Sequence, residues 1–239
     1  MKILALDGSG LVASVAVVED DILRAEYTIN HKKTHSQTLL PMIEEIISMT
    51  ETKAEEIDAI AVAGGPGSFT GLRIGAATAK GLGLAWEKPI ISVPTVMGLA
   101  YNYQGNPQII CPIMDARRNQ VYTGIYSFEG NQLITHMEQC AISIHELFER
   151  LEEVLSKLPI SQPVIFLGDG VPVHRSLIDE EFSLPHGFAP AHLNGQRAGA
   201  LGVCAMKLAA EGKLETAAEH HPEYLRLSQA ERERAEKEK

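Results

Sequence analysis

Ile3-Leu4-Ala5-Leu6-Asp7-Gly8-Ser9-Gly10 is the stretch on which the fold turns. A short apolar run meets an acidic residue and then glycine and serine, and a second run rich in valine starts at Ala13. Two strands joined by a tight turn are predicted. The pattern returns in the second half of the chain, where an apolar stretch over 108–114 ends in Asp115 and another begins at Val121. Asp7 and Asp115 each close a first strand, and each is followed six residues later by the start of a second.

Working outward, third strands are predicted over 22–27 and 133–138. Leu39, Leu40, Ile43, Ile46 and Ile47 recur at helical spacing behind Thr34 or Ser36, which predicts a helix over 37–49. A strand over 57–63, a glycine-rich turn over 64–71, a helix over 72–85 and a strand over 90–93 followed by a helix complete the first half. The second half continues with a helix over 144–158, a strand over 164–167 that ends in Gly168-Asp169-Gly170, and a helix over 199–210. A duplicated βββαβα unit is the simplest explanation. It divides the chain into a first lobe at 1–106, a second at 107–227 and a tail at 228–239, whose run of charge without an apolar face predicts disorder.

Composition narrows the class. The 239 residues are 45% hydrophobic and 22% charged, an ordinary globular balance, and hold no apolar run near the roughly 20 residues that cross a bilayer. The apolar positions before Asp7 are too few for a signal-peptide core. Cys111, Cys140 and Cys204 are far apart, odd in number and free of any Cys-x-x-Cys pair, so a reducing, cytoplasmic setting is expected. A formal charge of −10 opposes autonomous binding to nucleic acid.

Several motifs invite a chemical reading. Asp7 with Ser9 in the first half, and Asp115 in the second, sit beyond the ends of strands, where a pair of carboxylates across a cleft would suit a magnesium nucleotide. Gly168 and Asp169 would close over the nucleoside; the plain alternative is that Asp7 caps its own turn. The loop from Gly64 to Arg73 fails the Walker and dinucleotide templates, since Leu72 stands where a P-loop needs Lys and Thr70 where a fingerprint needs a small residue. Arg73 in the first turn of a helix adds positive charge where the dipole is already positive, which suits a bound anion or a partner's acidic side chain. Gly71, Gly75, Ala79 and Gly83 fall every four residues, a stripe of small side chains that serves close packing either within the chain or between subunits. His31 and His35 have a metal-binding spacing but no third ligand nearby, His220-His221-Pro222 reads as a surface turn, and neither a nucleophile elbow nor a Cys-His pair is evident. No catalytic or metal site is predicted.

Taken with His35-Ser36-Gln37-Thr38-Leu39-Leu40-Pro41, Asp115-Ala116-Arg117-Arg118-Asn119-Gln120-Val121-Tyr122 and Pro222-Glu223-Tyr224-Leu225-Arg226, the run from Gly64 to Gly75 resembles the bacterial TsaB (YeaZ) family, from residue 1 to about 227. The resemblance implies an α/β, two-lobed fold of the actin/Hsp70/sugar-kinase type, built from duplicated ribonuclease H-like units. It implies a noncatalytic subunit that pairs with TsaD, the paralogue that transfers threonylcarbamoyl to adenosine in tRNA, and with the ATPase TsaE. Contact with tRNA would come only through the complex, without a membrane, and the chain alone would self-pair as a homodimer. In TsaD-like relatives a His-x-x-x-His pair holds the metal; here Thr95 and Leu99 stand at those places. The implied partner face takes His35, Leu39, Leu40, Ile43 and Ile47 from the first helix, and Gly71, Arg73, Gly75, Ala76, Ala79 and Gly83 from the second. No cofactor is required by this chain, although ATP or ADP with magnesium fits the fold. Competing readings are an ATP-dependent small-molecule kinase of the same fold and a metallopeptidase.

Overall fold

The computed structural model describes residues 1–31, 34–158 and 162–226, so the tail expected to be disordered lies outside the described residues. The first half forms β1 (Lys2–Asp7), β2 (Ala13–Glu19), β3 (Ile22–Ile29), α1 (His35–Met49), β4 (Ala59–Gly65), α2 (Phe69–Trp86), β5 (Ile90–Pro94) and α3 (Thr95–Ala100). The second forms β6 (Ile109–Asp115), β7 (Gln120–Glu129), β8 (Gln132–Ser143), α4 (Ile144–Lys157), β9 (Val164–Leu167), α5 (Val171–Glu181), β10 (His186–Phe188), α6 (Ala191–Asn194) and α7 (Ala198–Ala210). The strand orders are β3-β2-β1-β4-β5 and β8-β7-β6-β9-β10. In each sheet the first strand runs antiparallel to the second and parallel to the fourth. The duplication read from the two aspartates is therefore a duplication of topology.

Each sheet is covered on both faces. Helices α1 and α2 lie on β2 and β4 of the first sheet, and α4 and α5 on strands of the second. The inner faces are covered by exchange: α3, which closes the first half, packs on β6 and β7, and α7, from the second half, packs on β1 and β2. The sequence prepares this by alternation. Leu4, Leu6, Ile60 and Val62 point one way, into the core under α1 and α2, while Ala5, Ala59, Ala61 and Ala63 point the other, toward α7. Small residues on that side let α7 come close; a Cβ on Gly202 would stand 2.6 Å from Val18. One apolar cluster thus runs from Ile3 through Val96 and Leu201 to Ile110 and Tyr126, joining the halves.

Two expectations need correction. The helix after β9 is α5 and not α7; it was missed because its buried face is only Val171, His174 and Ile178, too sparse and polar for a clear period. Nor does the second lobe hold all of 107–227, because α7 returns to the first sheet and the chain after it meets that sheet again at Glu215 and Glu223. Ile90 and Glu215 form a bridge, and Glu223 N donates to the Gly64 carbonyl at 2.7 Å.

Candidate partner face and interlobe cleft

Ser68 starts α2: its hydroxyl accepts from Gly71 N at 3.4 Å, satisfying one of the free donors of the first turn. From there the stripe Gly71, Gly75, Ala79 and Gly83 is buried against the chain itself. A Cβ on Gly71 would lie 2.0 Å from the Gly8 carbonyl, and one on Gly83 3.1 Å from Ala217. Gly75 faces Val62 at an ordinary 3.6 Å. Ala76 is buried too, as are Leu39 and Ile43 of α1 in the core under that helix. Of the two uses the spacing allows, this stripe serves packing within the chain. His35 is half-buried and Nε2 donates to the Gly10 carbonyl at 2.8 Å, and Ile47 is half-buried.

The solvent side of α2 carries another stripe, offset by two residues: Arg73, Ala77, Gly81 and Ala85 are exposed, with Leu84 beside them at 65% and Leu40 of α1 at 54%. Among the described residues nothing lies within 4 Å of where a Gly81 Cβ would be. A glycine in an open helix face costs about 0.5–1 kcal/mol relative to alanine, and this one has no packing reason among the described residues. Of the expected interface residues, only Leu40 and Arg73 are fully exposed. Ala77, Gly81 and Ala85 stand outside the expected face because two equally spaced files share one helix, and the sequence does not say which of them faces water.

Between the halves lies a cavity of about 510 Å³ lined by Ser9, Gly67, Ser68, Phe69, Asp115, Arg117, Asp169 and Arg226, among others. A neighbouring one of about 780 Å³ shares Leu11, Asp169 and Val173 with it. Asp7 lines neither. Its carboxylate is buried and accepts from Ser9 N at 2.8 Å and Ser9 Oγ at 2.6 Å, so it caps its own turn. Burial raises its pKa, against the lowering effect of those two bonds. Asp115 does face the cleft, with Oδ1 accepting from Arg117 N at 2.8 Å, while Asp169 accepts from Asp115 N at 3.1 Å and has its pKa raised by burial first. Gly168 lines neither cavity; at φ +109 it lets the turn press on the Ile113 carbonyl, 2.2 Å from where a Cβ would stand. The opposed carboxylates expected for magnesium are not assembled: Asp115 and Asp169 sit together on the second lobe and Asp7 is withdrawn.

The family model for tRNA N6-adenosine threonylcarbamoyltransferase, TsaD, matches residues 23–234. The tRNA threonylcarbamoyladenosine biosynthesis protein TsaB of Bacillus subtilis is 33% identical over 234 residues, covering 97% of this chain and 96% of its own. The chain belongs to the TsaB family. TsaB of Escherichia coli is 35% identical over 158 residues, 64% of this chain and 68% of that one. The solved structure of YeaZ from Pseudomonas aeruginosa superposes with a TM-score of 0.75 at 24% identity, covering 94% and 99% of the two chains, and shows the same two-lobed α/β fold.

Against this background the start of α3 is informative. Thr95 is buried and its hydroxyl accepts from Gly65 N at 3.1 Å, and Leu99 is buried in the core that joins the halves. Both positions where the resemblance puts imidazole ligands in the transferase are thus occupied by side chains already committed to this TsaB-family fold. Among the described residues no three His, Cys, Asp or Glu side chains cluster as a metal site.

Proposed function

We propose that this chain is the noncatalytic, cytoplasmic subunit of the machinery that forms threonylcarbamoyladenosine in tRNA, docking a TsaD-like transferase and working with a TsaE-like ATPase. The observation that carries this reading is the pair Thr95 and Leu99, a hydroxyl held by Gly65 and an alkyl group held by the core. Neither is an imidazole that could ligate a metal. The solvent face of α2, with Arg73, Ala77, Gly81 and Leu84, and Leu40 of α1 supply the docking surface, since small residues permit close helix approach and exposed leucines supply an apolar centre. Alone, the chain self-pairs through the same face by a two-fold contact. A charge of −10 leaves tRNA to the partner. The chain needs no nucleotide of its own, in keeping with a withdrawn Asp7.

The test is reconstitution. The purified chain alone should give no modified tRNA, and adding it to the transferase and ATPase should restore modification. Turnover by the chain alone, or full modification in its absence, would contradict the reading.

A further inference from the structure

Residues 222–226 form a connection that the docking role does not by itself require. Glu223 lies along the glycine-rich loop, so close that a Cβ on Gly65 would stand 2.1 Å from its carbonyl oxygen. Tyr224 stacks on Phe69 of α2 with centroids 4.5 Å apart and planes within 3°, and its hydroxyl accepts from Arg73 Nε at 3.2 Å. Leu225 packs on the core shared by the halves. The segment also grips the second lobe: Gln139 of β8 donates to both the Gly65 carbonyl at 3.2 Å and the Glu223 carboxylate at 3.0 Å, and Arg226 donates to the Ala116 carbonyl. Ala116 belongs to the turn that carries Asp115 and Arg117 in the cleft.

We propose that residues 222–226 are a positioning strap that fixes Arg73 at the head of the docking face and ties it to the cleft turn of the second lobe. The proposal rests on the docking role assigned above to α2. Arg73 lies in the solvent-facing file with Ala77 and Gly81. Held at Nε by Tyr224 and against two aromatic rings at 5.8 and 5.9 Å, its guanidinium gives up little further freedom on binding. Its terminal nitrogens have no partner among the described residues, and a carboxylate of the transferase offers the matching two-pronged acceptor. Gln139 and Arg226 are positioning residues in this scheme, acting on Arg73 through Tyr224.

The experiment uses the full chain with three substitutions. Tyr224→Phe keeps the stack but removes the hydroxyl, and Arg226→Ala and Gln139→Ala cut the grip on the second lobe. Hydrogen exchange at 68–76 is read in the free chain, and affinity for the purified transferase is read by titration. Each variant should raise exchange at 68–76 and weaken pairing by about three- to tenfold, as loss of preorganisation does, and Arg226→Lys should recover part of both. Unchanged exchange at 68–76 in Arg226→Ala and Tyr224→Phe would overturn the strap, and so would raised exchange with pairing at full strength. Should a variant lose its cooperative melt, Gln139→Ala, which removes one half-buried amide, decides the matter. A full-strength complex from Ala77→Arg would instead remove the docking role of α2, leaving the exchange result to judge the strap separately.

Discussion

On one side of α2, Gly71, Gly75, Ala79 and Gly83 are buried within the chain; on the other, Arg73, Ala77, Gly81 and Ala85 face solvent. Both files repeat every four residues, and apart from Arg73 at the head of the exposed one both are built of small side chains. On the buried side the glycines are explained by their neighbours, most sharply where Gly71 meets the Gly8 carbonyl. On the exposed side Gly81 meets nothing among the described residues. The same spacing therefore records one demand met within the chain and, in the docking role proposed above, a second met by the partner.

The contrast can be broken most severely from the buried side. Gly71→Val places branched carbon where 2.0 Å separates even a Cβ from the Gly8 carbonyl, and should cost about 3 kcal/mol in denaturant unfolding. A stability loss under half of that would mean the stripe is not packed as described. Leu84→Ala, from the exposed side, should leave stability within about 0.5 kcal/mol yet cost roughly 1–2 kcal/mol of pairing free energy, read by titration with the transferase. Gly81→Ala sharpens the contrast further: helix propensity should stabilise the free chain by about 0.5–1 kcal/mol, while the added methyl weakens pairing. The smallest effect is expected at the turn on which Gly71 rests. Because Asp7 has a raised pKa in the folded chain, that chain takes up a proton before the unfolded one does. The contribution of Asp7 to stability should accordingly rise as pH falls from its raised folded value toward the unfolded value near 3.8. Asp7→Asn, whose side-chain oxygen can still accept from Ser9, should flatten that part of the pH profile relative to the unmodified chain, with no loss of fold at neutral pH.

Much of the architecture could be read from sequence because the strands are short apolar runs closed by turn residues, and the structure adds that they alternate. Leu4 and Leu6 against Ala5, or Ile60 and Val62 against Ala61, carry the period of a sheet covered on both faces, and Asp7 and Asp115 mark its repetition. The exchange of α3 and α7 between the halves was not legible, since an all-round apolar helix such as α7 does not say which sheet it covers. The candidate site was half legible: of the residues expected at a partner face, Arg73 and Leu40 are exposed, Leu39, Ile43 and the Gly75 stripe are buried within the chain, and Asp7 does not line the cleft expected of it. In each case the residue type was right for either role, and only burial separates them. Tyr224 was recognised in a motif, but its stack on Phe69 joins residues far apart in the chain, beyond the reach of any local period.

The measurement that bears most directly on the central claim is co-elution of Ala77→Arg with the transferase on a sizing column, beside its thermal melt. The side chain of Ala77 is exposed, so the melt should match that of the unmodified chain, while a long charged group at the centre of the face should abolish the complex. A complex that elutes as before would contradict the assignment of the solvent face of α2 to the partner.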